Sequence, residues 1–262
     1  MGFKEVFPTE LSPSIPADEL PVIRQRLELG NTAITISDLF QPELEILKAK
    51  LDSRGITLGD IIGIGDMGGI TYNLLDKNGA AIKSAVLRID PADLVTILER
   101  PSPASIRPIL REREDFFAAT IVPRAERVEF TADQIMHSLA IINADDQLRY
   151  IKDLESKQFM RIPGIPVPVI TDLGCMSTDP DTLKGMGSID DFLEILGRDR
   201  ASLDAIKVAP EEMAQLRQAQ NAIHDNAVAE LTAAGINLES VPTKQEGVTL
   251  TPVAQPQITL AR

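Results

Sequence analysis

The sequence predicts an α+β fold: a helix-rich single domain over residues 31–240, containing a glycine-rich β-hairpin and flanked by extended arms at 1–30 and 241–262. Three observations carry that prediction. Asn78-Gly79 separates two apolar-rich runs, the strongest short-range signal for paired strands. Several later stretches repeat apolar residues at helical spacing between a capping residue and a glycine. Both ends are broken by proline, at Pro8, Pro13, Pro16 and Pro21 and again at Pro242, Pro252 and Pro256, which excludes a continuous helix or a central strand there.

In chain order, a short helix is expected around Pro21 to Leu29, then a strand over Ala33 to Ile36. Pro42 opens a helix whose Leu44, Leu47 and Leu51 share a face, with Gly55 beyond its end. Ile56 to Ile89 reads as β structure, with the hairpin strands at Thr71–Leu75 and Ala81–Leu87. After Pro91 the pattern turns helical, through Ile109, Leu110, Phe116 and Phe117, until Pro123 ends it. Thr131 with Gln134 forms a capping box before a helix that buries Ile135, Met136, Leu139 and Ile142. A second helical piece carries Leu148, Ile151 and Leu154. The chain is extended between Pro163 and Pro168, and Val167 to Thr171 reads as a strand. Ser188 caps a helix with Ile189, Phe192, Leu193 and Leu196 inward, stopped by Gly197. The longest helix runs from Pro210 to Ala234, with Met213, Leu216, Ile223, Ala227 and Leu231 as its buried stripe and Gly235 at its end.

Composition bounds function. A net charge of −13, with no run of Lys and Arg, argues against nucleic acid and against anionic membrane. No apolar stretch approaches the ~20 residues that span a bilayer, and MGFKEVFPTE lacks the signal-peptide pattern. With Cys175 the single cysteine, no internal disulfide forms. A cytoplasmic chain, neither secreted through a signal peptide nor transmembrane, is the expectation. Without tryptophan and with few other rings, a site built from stacked aromatics is disfavoured.

The residues that carry chemistry are few. His137 and His224 each fall within a helix, without a second histidine or cysteine at metal spacing. Asp179, Asp181 and Asp190 take three positions of a calcium loop, but Leu183 and Lys184 stand where a ligand and a glycine belong. Gly63-Ile-Gly65-Asp-Met-Gly68 matches GxGxxG, yet the chain continues as strand and not as the helix a dinucleotide site needs. Glycines in a bulged hairpin account for the pattern without any ligand.

A glycine-rich loop within a hairpin is also how protein kinases cover ATP, and from Gly63 onward the chain resembles that family in the order of its motifs. Arg88 falls near the place of the strand lysine, with Lys83 the alternative. Lys152-Asp153-Leu154 and Gln158 resemble the catalytic loop, and Asp172-Leu173-Gly174 resembles the metal-binding Asp-Phe-Gly. The resemblance implies a nucleotide site with ATP and Mg²⁺ as cofactors: Gly63, Gly65 and Gly68 over the phosphates, Arg88 as their cation, Asp153 as base, Gln158 and Asp172 at the metal. The chain departs from the family at Ile151-Lys152, where histidine and arginine belong, and at Gln158, where asparagine belongs. The same glycines resemble the phosphate loop of sugar kinases and actin-like ATPases, whose two large domains this chain is too short to hold.

The leading functional expectation comes from the arms. A proline-broken segment such as 241–262 buries too little by itself to offset the entropy of ordering it, so its apolar side chains are expected to dock on other protein. Val248, Leu250, Val253, Ile258 and Leu260 are the expected anchors. That predicts a non-enzymatic subunit of a larger multi-protein assembly, a virion component or part of a secretion machine, with no cofactor, no metal and protein subunits as partners. The alternatives are a nucleotide-binding protein with a degenerate kinase-like core, or an adaptor for one partner.

Overall fold

The computed structural model describes residues 41–64, 69–91, 101–113, 117–172 and 187–239. Over these the fold is α+β. Helix α1 (Gln41–Ser53) leads into β1 (Thr57–Ile64), β2 (Ile70–Leu75) and β3 (Ala81–Pro91), and then β4 (Leu110–Arg113) and β5 (Phe117–Pro123). Helix α2 (Ala132–Ala144) follows, then the short strands β6 (Phe159–Met160) and β7 (Val169–Ile170), then helices α3 (Ile189–Ile195), α4 (Arg200–Ala205) and α5 (Pro210–Ala233). Strands β1 to β5 form one antiparallel sheet in the order β1-β2-β3-β5-β4, and β6 pairs with β7. No helix among the described residues is long and apolar enough to cross a membrane.

The hairpin expected at Asn78-Gly79 joins β2 to β3, but its turn is longer than a two-residue one. Only Gly79 has positive φ, +80°. Asp76 organises the loop: its Oδ1 accepts from the N–H of Asn78 and of Ala80, both at 2.8 Å, and its N–H donates to the Ala80 carbonyl at 2.8 Å. A side chain that bonds its own backbone two residues on lets Asn78 keep negative φ and leaves Gly79 alone in the left-handed region.

Next to this turn the register slips: Asn73 pairs with Val86 but Leu75 with Ala81, so β3 carries extra residues there. The peptide groups released by that bulge find side-chain partners. Glu230 on α5 accepts the N–H of Lys83 at 3.0 Å and of Ser84 at 2.9 Å. Arg124, just after β5, donates to the carbonyls of Lys83 and Ile82, both at 3.1 Å, and to Asn73 Oδ1 at 2.7 Å.

Alternation along β3 and β5 sends side chains to two apolar layers. Ala85, Leu87, Ile89, Phe117, Ala119 and Ile121 face Leu47 and Leu51 of α1 and Ala227 and Leu231 of α5. Val86, Ala118 and Val122 face the other layer, made by α2, the β6–β7 pair, Phe192, Leu193 and Leu203. Leu216, nearer the start of α5, lies in this second layer, so the long helix joins both. The caps fall where the sequence places them. Thr131 and Ser188 each complete a capping box, and Gly197 and Gly235 follow α3 and α5 with φ of +66° and +91°.

Two expectations fail. The segment read as helical through Ile109, Leu110 and Phe117 forms β4 and β5 instead. Every residue of β5 is buried, because it lies inside the sheet with an apolar layer on either face; such a strand loses the alternation that separates it from a buried helix. The helical piece carrying Leu148, Ile151 and Leu154 shrinks to one 3-10 turn, Leu148–Tyr150, although all three side chains are buried. Helix α4, capped by Asp199, is short and was not anticipated. The arms at 1–30 and 241–262, the helix at Pro21, the strand at Ala33, Gly65, Gly68, Cys175, Asp179 and Asp181 lie outside the described residues.

Candidate functional site

Cross-strand pairing places Gly63 opposite Thr71, Thr71 opposite Arg88, Arg88 opposite Thr120 and Thr120 opposite Arg111, a row across all five strands on one face of the sheet. Asp90 shares that face with Arg88 because it stands two residues on along β3. The end of the sheet nearest Asp90 is also where β1 and β3 finish and β2 and β5 begin, at Ile64, Ile70, Pro91 and Phe117.

Across from this row comes the stretch between α2 and α3. Arg88 Nη1 donates to the Thr171 carbonyl at 2.7 Å. Its Nη2 bonds Asp90 Oδ1 at 3.2 Å and faces Asp172 Oδ1 at 3.9 Å. Asp172 Oδ2 accepts from Gln158 Nε2 at 3.1 Å, and the same nitrogen donates to the Asp153 carbonyl at 3.2 Å. Gln158 Oε1 accepts the Glu155 N–H at 2.8 Å in a capping box at the start of a 3-10 turn over Ser156–Gln158, which the Gln158 N–H closes on the Glu155 carbonyl at 3.0 Å. Asp153 is held with φ of +55°, a region non-glycine residues rarely enter, while its N–H donates to the Gly187 carbonyl at 2.8 Å. The β6–β7 pair sets the spacing: Phe159, next to Gln158, pairs with Ile170, next to Thr171.

Arg88, Asp153, Gln158 and Asp172, chosen from sequence on the kinase resemblance, are thus brought into one network. Gly63 lies on β1 in line with Arg88, while Gly65 and Gly68 are outside the described residues. Lys83, the alternative to Arg88, is placed elsewhere, at the bulge beside Glu230. Asp90 was not singled out. Its one legible signal is the i, i+2 relation to Arg88.

Burial shapes the electrostatics. Asp90 is buried and its carboxyl titrates above the usual range: desolvation is the largest cause, the Asp172 charge adds to it, and attraction to Arg88 opposes it without prevailing. Its Oδ2 has no hydrogen-bond partner among the described residues. A Cβ on Gly69 would collide with Asp90 Oδ1, so a larger residue there would have to displace the carboxylate. Asp153 is also raised, first by burial, then by Glu155 and Asp172. For Asp90 the linkage sign follows directly. A raised folded pKa means that the native state holds this proton more tightly than the unfolded chain does. Its contribution to stability is complete below the unfolded-state value of 3.8 and is lost as pH rises through the folded pKa. Asp90→Asn, which cannot ionise, is therefore expected to gain on the parent in urea unfolding as pH rises from about 3 towards 7; a difference independent of pH would contradict this.

The histidines lie apart from the network. His137 Nε2 meets Glu212 Oε1 at 2.6 Å between α2 and α5, and His224, half-buried on α5, is held below its usual pKa, first by burial and then by Arg107. Asp190 pairs with Arg200 at 3.0 Å. Among the described residues no group of three His, Cys, Asp or Glu side chains could hold a metal ion. A cavity of about 260 Å³ lined by Arg149, Lys152, Asp190 and Arg200 does not include Arg88 or Asp172 among its walls, and two of its cations are paired, Arg149 with Asp146 and Arg200 with Asp190. No protein-family model matches the chain, and no curated protein matches it.

Proposed function

We propose that this chain is a nucleotide-binding protein with a degenerate kinase-like core, built to hold a nucleoside triphosphate more than to transfer its phosphoryl group. The observation that carries the reading is the network just described. Residues from three separated parts of the sequence meet: Gln158 bonds the Asp153 carbonyl and the Asp172 carboxylate, and Arg88 faces Asp172 at 3.9 Å. A chance match of motifs gives no reason for such convergence.

Arg88 is the phosphate-binding group in this reading. It is permanently charged, its fork is oriented by Thr171 and Asp90, and a guanidinium matches phosphate oxygens in pairs. Asp153, with its raised pKa, would accept a proton from a hydroxyl, but Ile151 and Lys152 precede it where the family has histidine and arginine. The metal position fits poorly. Gln158 turns its amide nitrogen, not its oxygen, to Asp172. No step is therefore assigned to a metal ion.

The assembly-subunit reading rests on Val248, Leu250, Val253, Ile258 and Leu260, outside the described residues, and nothing in the described residues favours it. The test is thermal unfolding of the full chain with and without millimolar ATP. A ligand present at a hundred times its Kd stabilises the native state by about 2.7 kcal/mol, so the melting temperature is expected to rise. Arg88→Gln is expected to remove the rise. No shift at millimolar nucleotide would overturn the proposal.

A further inference from the structure

We infer that the site takes its nucleoside triphosphate without a divalent cation, the guanidinium of Arg88 standing where the ion would be held. This rests on the nucleotide reading above and concerns the form in which the ligand binds.

A Mg²⁺ ion needs oxygen donors in near-octahedral array and releases its own water reluctantly, so a protein site must offer it carboxylate or carbonyl oxygens free to approach. Gln158 has one such oxygen, and it is committed. Oε1 accepts the Glu155 N–H at 2.8 Å, while Nε2 donates to the Asp153 carbonyl at 3.2 Å and to Asp172 Oδ2 at 3.1 Å. The orientation follows from the neighbours. A rotated amide would set its oxygen against two acceptors and its nitrogen against a donor, losing three hydrogen bonds at once. The bond to Glu155 also forms half of the capping box at the start of the 3-10 turn that brings Gln158 to the site, so releasing the oxygen would break that cap.

Asp172 is engaged at both oxygens. Oδ2 takes the Gln158 amide, and Oδ1 faces Arg88 Nη2 at 3.9 Å. Arg88 is in turn fixed by the Thr171 carbonyl at 2.7 Å and Asp90 Oδ1 at 3.2 Å. A cation bound at Asp172 would have to displace the amide or lie against a guanidinium that carries like charge. Asp90 adds no ligand, for it lies buried behind Arg88 with Oδ1 bonded to it. The positive charge that phosphate oxygens require is already present as Arg88, while both amide hydrogens of Gln158 are held by Asp153 and Asp172.

The experiment is a titration of the full chain with a fluorescent ATP analogue in excess EDTA and, separately, in millimolar Mg²⁺. Affinities are expected to agree within about threefold. In Gln158→Ala, which removes the amide from Asp172 Oδ2, binding is expected to become tighter in Mg²⁺ than in EDTA. Binding by the parent chain that weakens tenfold or more in EDTA would overturn this inference and leave the nucleotide reading intact. Absence of binding in both conditions would overturn the nucleotide reading, and this inference with it.

Discussion

Arg54→Ala is expected to lower unfolding free energy by about 3–5 kcal/mol, measured by urea denaturation at neutral pH. Arg54 follows α1 and is buried. Its Nη1 donates to the carbonyls of Asn237 at 3.2 Å and Glu239 at 2.6 Å, and its Nη2 pairs with the Glu112 carboxylate on β4. Its own carbonyl accepts the Asn237 N–H at 2.9 Å. One side chain therefore ties the end of α1 to the segment after α5 and to the last strand of the sheet. The chains approach closely here: a Cβ on Gly55, whose φ is +76°, would stand 2.8 Å from the Gly235 carbonyl oxygen. Removing the guanidinium strands Glu112, whose side chain is only 16% exposed, and leaves two carbonyls without their donor. Arg54→Lys keeps the charge without the fork and is expected to fall between. A loss under about 1 kcal/mol, the scale of exposed pairs, would show that water replaces the guanidinium.

Phe159→Ala is expected to cost a further large amount, about 3–5 kcal/mol, and to act on the candidate site as well. The ring is 1% exposed and stacks on Phe192 of α3, with centroids 5.9 Å apart and planes 11° from parallel. It stands between Gln158 and Met160, in the two-residue strand whose pairing with β7 holds Gln158 level with Thr171 and Asp172. The comparison is Leu51→Ala, a cavity of the same kind in the apolar layer on the other face of the sheet. Both variants are expected to lose stability in urea, whereas only Phe159→Ala is expected to weaken ATP binding at a temperature where both remain folded. Equal effects on ATP binding would mean that the site does not depend on this ring.

Local signals told the truth where the chain's own neighbours decide conformation. Thr131 with Gln134, Ser188 with its following helix, Pro210 at the start of α5, and glycines at 55, 79, 197 and 235 could all be read directly, because a cap or a positive φ is settled within a few residues. The Asn78-Gly79 hairpin was legible for the same reason. Its turn geometry was not, since Asp76 was not considered as the side chain that organises the loop. Arg88, Asp153, Gln158 and Asp172 are scattered in the sequence, and their meeting depends on the β6–β7 pairing and on the sheet register.

What linear order left open is what long-range packing settles. Phe117 to Val122 is an apolar run that serves equally as helix or strand until a sheet with two covered faces claims it. Asp90 reads as an ordinary acid at the end of a strand, and becomes a buried carboxyl, one oxygen of which has no partner among the described residues, once Gly69 packs against it. Gln158 reads as a stand-in for a metal-binding asparagine, but the direction of its amide is imposed by Glu155, Asp153 and Asp172 together. Capping and turn formation depend on forces that act over one helical turn, so residue order suffices for them. Burial, register and the sharing of a donor between distant acceptors depend on which surfaces meet, and these exist only in the folded chain.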